Sequence, residues 1–247
     1  MDASGNIYVM DIYGFLSVFS PSGKFIRKFK LTKGIGSYPD FVIDRDENRV
    51  YMASYNRVYV YDLYLKRLYE FGKAGKKTGE LSSVQSIYFA NGKVYISDNS
   101  RKKVIVFTKE GQFLFETEVK KEEGDKTPYY NGIAASKDRI FLADPKNNLI
   151  HVFDKDGKYL KRLSHEDFSS LWNLALEVDN KGNLYVPDRS ANCIFIFSPD
   201  GDLIDKIENK GEESLSQPVD IEIGGNGDFA IAEYENCLLY TSPSPRD

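Results

Sequence analysis

The chain has 247 residues, 41% of them hydrophobic and 28% charged, which is enough apolar material for a packed core and argues against wholesale disorder. Lys plus Arg number 33 against 37 Asp plus Glu, a net charge of −4 that removes the basic excess a general nucleic-acid binder wants. With only two His and two Cys, a zinc finger, a disulfide scaffold and a multi-histidine metal site are excluded, and no apolar run approaches the length needed to span a membrane.

The first predicted strand is Ile7-Tyr8-Val9-Met10-Asp11. Its pattern returns as Val50–Ser54, Val94–Asp98, Ile140–Asp144, Leu184–Asp188 and Phe229–Glu233, at intervals of 43 to 46 residues. A polar turn follows each copy, then a second apolar run such as Val58-Tyr59-Val60-Tyr61 or Val104-Ile105-Val106-Phe107. Next comes a glycine turn, Ser22-Gly23, Glu110-Gly111, Asp156-Gly157 or Asp200-Gly201, which supplies the positive φ that a tight hairpin needs. The second unit has Asp62-Leu63-Tyr64-Leu65 at that place, so its hairpin is expected to be irregular. A more polar run closes each unit, for example Leu203-Ile204-Asp205-Lys206-Ile207, and one further run precedes each motif, such as Ser86-Ile87-Tyr88-Phe89. Two runs apolar on both faces, flanked by an alternating outer one, are the signature of a four-stranded sheet stacked between like sheets. Four antiparallel strands recurring at this period describe the blade of a β-propeller.

The pattern also sets expectations about the ends. Met1-Asp2 aligns with Val178-Asp179, in mid-pattern, so Met1 reads as an internal start and the first unit as short of its first strand. At the other end the pattern stops at Asn236, and residues 237–247 (CLLYTSPSPRD) read as the translation of a transposase sequencing adapter. The expected organisation is therefore a propeller over residues 1–236, six-bladed and truncated at both ends, followed by a non-native tail over 237–247, as in a metagenomic fragment.

Gly5-Asn6-Ile7-Tyr8-Val9-Met10-Asp11 and Gly182-Asn183-Leu184-Tyr185-Val186-Pro187-Asp188, with Gly92-Lys93-Val94-Tyr95-Ile96-Ser97-Asp98 close behind, resemble the core of the NHL-repeat family, of the six-bladed, TolB-like type. The resemblance covers residues 1–236 and implies fold more sharply than function, because NHL-like propellers include lyases, lactonase-like enzymes, RNA binders and interaction domains.

The acid ending each motif (Asp11, Asp98, Asp144, Asp188, Glu233) recurs in every unit but the second, so it is expected to hold the following turn rather than mark one active site. Polar residues heading the first strands form a second set: Asp40, Gln85, Asn131, Asn173 and Asp220. These strands are expected to be innermost, which puts the five around one mouth of a central channel. Asp40 and Asp220 with the amide oxygens offer the hard donors that Ca²⁺ prefers, and the resemblance to lactonase-like propellers implies a metal in a comparable place. The plainer reading is a water-filled channel. His151 reads as a half-buried sheet residue and His165 as a surface one, so no catalytic constellation emerges.

The leading functional reading is a ligand- or protein-binding scaffold whose partner is a protein, a peptide or a polar small molecule. The alternative is a metal-dependent lyase or lactonase-like enzyme acting at the channel mouth. The third is an RNA-binding propeller, which the acidic balance and the placement of Lys120-Lys121 beside Glu122-Glu123 disfavour. If the tail is non-native, Cys193 is the one genuine cysteine, which fits the cytoplasm as well as a disulfide-free exported protein; an extracytoplasmic or cell-surface location is the preferred of the two.

Overall fold

The computed structural model describes residues 1–11, 13–31, 40–169, 171–172, 175–208, 215–224, 228–234 and 239–243. It is all β, built from antiparallel sheets in a propeller arrangement. The first sheet has three strands, β1 (Ile7–Met10), β2 (Phe15–Phe19) and β3 (Phe25–Lys30). Four complete blades follow. They are β4 (Asp40–Asp44), β5 (Arg49–Ser54), β6 (Arg57–Asp62) and β7 (Arg67–Phe71); then β8 (Val84–Ala90), β9 (Lys93–Asp98), β10 (Lys103–Thr108) and β11 (Phe113–Glu116). Next are β12 (Gly132–Ala135), β13 (Arg139–Asp144), β14 (Leu149–Asp154) and β15 (Tyr159–Leu163), and then β16 (Glu177–Val178), β17 (Leu184–Asp188), β18 (Cys193–Phe197) and β19 (Leu203–Ile207). The last sheet is again three-stranded, with β20 (Pro218–Ile223), β21 (Asp228–Glu233) and β22 (Leu239–Pro243). The expectation is a six-bladed propeller truncated at both ends; among the described residues four blades have all four strands, with a three-stranded sheet on either side of them in chain order, so a complete six-bladed ring is not seen. Among the described residues the first sheet has no strand on the inner side of β1, where the complete blades carry β4, β8, β12 and β16.

The repeat register is the expected one. Tyr8, Tyr51, Tyr95, Phe141 and Tyr185 lie opposite Val18, Val60, Val106, Val152 and Ile196. Each of those partners is followed by a bulge where the same strand meets the outermost one, between Val18/Phe19, Val60/Tyr61, Val106/Phe107, Val152/Phe153 and Ile196/Phe197. A bulge at the same aromatic step in every blade adds twist at the rim. The outermost strands are mostly exposed, while β5, β9, β13, β17 and β18 are buried along nearly their whole length, because their two faces pack on neighbouring sheets. The core accordingly lies between sheets. Tyr51, Val58, Val60 and Phe71 pack on Ile87, Val94, Ile96 and Phe107, and Phe141, Ile150 and Val152 pack on Leu184, Val186, Cys193 and Phe195.

One local expectation needs revision. The hairpin at residues 62–66 is regular: Asp62 N–H donates to Lys66 O at 3.0 Å and Leu65 N–H to Asp62 O at 3.0 Å, matching the Ser20/Gly23/Lys24 turn. Leu65 takes φ 57°, the left-handed conformation that Gly23 supplies elsewhere. The Asp62 carboxylate stabilises it by accepting both Tyr64 N–H and Lys66 N–H at 2.9 Å, which offsets the roughly 1–2 kcal/mol that a left-handed Leu costs. Within the expected tail, residues 239–243 form β22 and pair with β21. An edge of unpaired N–H and C=O groups is a template for any extended segment.

Candidate functional site

Five inner strands, β4, β8, β12, β16 and β20, face the axis. The bonds that neighbouring inner strands do not make to one another must be supplied by side chains or water. Asp40, at the head of β4, does this: its Oδ2 accepts Ile87 N–H from β8 at 2.8 Å, and its Oδ1 accepts Phe41 N–H at 2.9 Å. Burial pushes its carboxyl pKa up despite these bonds. Asp220 sits at a bulge in β20. Burial first, then the nearby Glu222 and Asp40 charges, push its pKa up to about 7. Its side chain borders open space even though protein surrounds it, so water reaches it and the shift carries no large stability cost.

Asp40 and Asp220 line one cavity of about 360 Å³, whose walls also include Ile7–Asp11 along β1, Phe41–Ile43, Glu222 and Ala232. Gln85 and Asn131 do not line it. Gln85 Oε1 accepts the Tyr129 hydroxyl at 3.0 Å, and Asn131 Nδ2 donates to Leu171 O at 3.3 Å, while Asn131 Oδ1 is buried without a partner. Asn173 lies outside the described residues.

At the other end of the inner strands is a cluster that sequence reasoning missed. Tyr88 OH donates to Glu177 Oε1 at 2.7 Å. Burial and the neighbouring Glu222 charge hold the Glu177 carboxyl well above its ordinary pKa. Burial acts on Glu222 in the same direction, but the Met1 amine and Arg45 outweigh it and hold that carboxyl low. Arg45 pairs with Glu222 and donates to Ile223 O at 2.7 Å. The signal was present in the alternation: Glu222 is two residues from Asp220 and therefore on the same face of β20.

Asp11, Asp98 and Asp188 hold the turns that follow them, and Asp98, Asp144, Asp188 and Glu233 reach back to the chain entering the same sheet. Asp98 accepts Arg101 N–H at 3.0 Å and Ser82 N–H at 2.6 Å; Asp188 accepts Ala191 N–H at 3.0 Å and Ser169 N–H at 2.7 Å. His151 is fully buried rather than half-buried, 3.5 Å from Asp144 and between the rings of Tyr130 and Tyr159. His165 Nδ1 accepts Asp167 N–H at 3.2 Å. Neither histidine lines the Asp40–Asp220 cavity. Burial pushes the Cys193 thiol up to about 11, which makes it unreactive. Among the described residues no three His, Cys, Asp or Glu side chains group as a metal site, and no helix is long and apolar enough to cross a membrane.

No family model matches the chain. No curated protein matches it by sequence. Solved structures do match by fold. Virginiamycin B lyase from Staphylococcus aureus superposes with a TM-score of 0.66 at 15% identity, over 99% of this chain and 82% of that one. A streptogramin B lyase gives 0.67 at 12% identity, over 98% and 80%. A protein of unknown function from Bacteroides caccae gives 0.71 at 9% identity, over 94% and 83%. At these identities the likeness is one of fold, and the chain is a β-propeller similar in architecture to the virginiamycin B lyases.

Proposed function

We propose that this chain is a binding module, an NHL-type propeller scaffold that takes a cationic group of a small molecule or peptide at the mouth of its channel. The observation that carries the reading is the pair Asp40 and Asp220 on the walls of one cavity. A fixed cation there would relieve the mutual repulsion of the two carboxylates. Calcium is the poorer fit. Both Asp40 oxygens already accept backbone N–H groups and Glu222 is paired with Arg45 and the Met1 amine, which leaves Asp220 well short of the six to eight oxygens that Ca²⁺ takes. The lyase alternative draws its support from the fold of the relatives, one of which is described as a catalytically inactive histidine-to-alanine variant with quinupristin; here both histidines lie away from the cavity.

The test is thermal melting with cadaverine, and with Ca²⁺ alone, at pH 5.5 and pH 8. A ligand that binds the native state raises Tm. The Asp220 pKa is raised by folding, so between about pH 4 and about pH 7 the native carboxyl holds its proton while the unfolded one has lost it. The native state therefore loses stability as pH rises from about 4 to about 7. Cadaverine should raise Tm at pH 8 and much less at pH 5.5. Asp220→Asn should abolish that difference and itself melt higher than the parent at pH 8, by no more than about 2–4 °C since water screens the charge. An amine effect that is equal at both pH values, or unchanged in Asp220→Asn, overturns the reading.

A further inference from the structure

The end of the sheets that carries the heads of the inner strands also carries a set of exposed aromatic rings. Register fixes this placement: Asp40 lies opposite Ala53, Val84 opposite Asp98, Gly132 opposite Ala143 and Pro218 opposite Glu233. Loops that leave the second strands and loops that enter the inner strands therefore share one end. Tyr55 follows β5 and is 64% exposed; Tyr234 follows β21 and is 61% exposed. Between them in chain order, Tyr129 precedes β12 and Trp172, 40% exposed, precedes β16.

Tyr129 and Trp172 form one platform, with ring centroids 5.2 Å apart and planes at 38°. The platform is held from below. The Tyr129 hydroxyl is tied to Gln85, and Asn131, two residues after Tyr129, donates to the carbonyl of Leu171, the fully buried residue before Trp172. The Gln85 amide nitrogen donates at long range, 3.3 Å to Val84 O and 3.5 Å to Ser83 Oγ, so a ligand hydroxyl can replace the longer of the two bonds. Fixed aromatic faces beside a weakly engaged neutral amide form an amphipathic surface that costs little entropy to order on binding.

We propose that this platform is a saccharide-binding subsite, with the apolar C–H face of a neutral sugar ring stacked on Trp172 and a ring hydroxyl accepting from Gln85. Tyr55 and Tyr234 on the same end extend the surface for neighbouring sugars of a chain. Arg189 stacks 3.7 Å from the Tyr234 ring and keeps that side chain oriented. Nucleobases also stack on aromatic rings, but single strands need a basic groove. Here the same mouth carries Asp40 and Asp220, on a chain of net charge −4. The rings sit on loops of four different sheets rather than along one strand edge, which suits separate sugar rings better than a proline-rich peptide.

The inference rests on the mouth as the binding face but uses residues other than Asp40 and Asp220, so the two readings can fail separately. Trp172 is the chain's one tryptophan, and its fluorescence reports directly on this subsite. The probes are the hexasaccharides of β-1,4-glucose, β-1,4-N-acetylglucosamine and α-1,4-glucose, at millimolar concentration. At least one should shift the emission saturably. By calorimetry the same sugar should bind about tenfold or more weakly to Trp172→Ala, with partial rescue in Trp172→Phe, while Tyr64→Ala, at the opposite end of the sheets, should bind as the parent does. Absence of any saccharide response, binding unchanged in Trp172→Ala, or a response to an oligonucleotide or a proline-rich peptide in place of the sugars overturns the inference. An intact cadaverine effect in that event leaves the acidic site standing, and saccharide binding without a cadaverine effect does the reverse.

Discussion

Single carboxylates at the ends of the second strands fix how each blade is entered. Asp98 is fully buried, and its oxygens accept N–H groups from Ser82, Ser83 and Arg101, joining the incoming chain to the hairpin between β9 and β10. Removing it strands several backbone donors out of reach of water, a loss that exceeds any single hydrogen bond. Asp98→Ala should cost about 2–4 kcal/mol in urea unfolding, and Asp98→Asn less, since its one amide oxygen keeps part of the set. A cost below about 1 kcal/mol would show that these loops hold themselves. The recurring acid and its turn were legible in the sequence; its grip on the incoming chain was not, because Ser82 and Asp98 are joined only after β8 has folded back on β9.

Each blade packs on the next through hairpin turns as well as strand faces. Gly111 has φ 88°, and a Cβ built on it would lie 2.4 Å from Cβ and Cγ of Phe71, on the last strand of the preceding blade. Gly23 has a similar φ of 77° with nothing within 4 Å. The two positions separate backbone strain from packing. Gly23→Ala should cost about 1 kcal/mol, the strain of a left-handed alanine, whereas Gly111→Ala should cost roughly 2–4 kcal/mol because the Phe71 backbone and ring root must move. Equal costs in chemical denaturation would remove the packing argument. The glycine turn was visible in the sequence, but which glycine abuts a neighbouring blade was not. Leu65 makes the same point in reverse, since a residue with no evident freedom for positive φ takes it when Asp62 supplies two hydrogen bonds.

Across the molecule, stability is distributed by how many faces a sheet has covered. The cluster shared by the third and fourth complete blades holds fourteen buried residues, from Ala134 to Phe197, whereas the one behind the first sheet holds Tyr8, Leu16 and Val18. Native-state hydrogen exchange should follow this order, with β9, β13 and β17 protected near the global limit and β1–β3 exchanging through local opening. Uniform protection across all the sheets would mean that the ring opens only as a whole.

The amino-acid sequence by itself determined the strand order, the blade period and the register, because alternation and turn chemistry act over a few residues and repeat along the chain. It also marked Asp40 and Asp220 as heads of inner strands. Only the tertiary structure decided that these two share a cavity while Gln85 and Asn131 serve the Tyr129–Trp172 platform, and that Arg45 meets Glu222 at the other end of the inner strands. Arg45 and Glu222 are 177 residues apart, and Asp40 and Ile87 are 47. Contacts of that span depend on how sheets are rotated about a common axis, a quantity that no local pattern encodes.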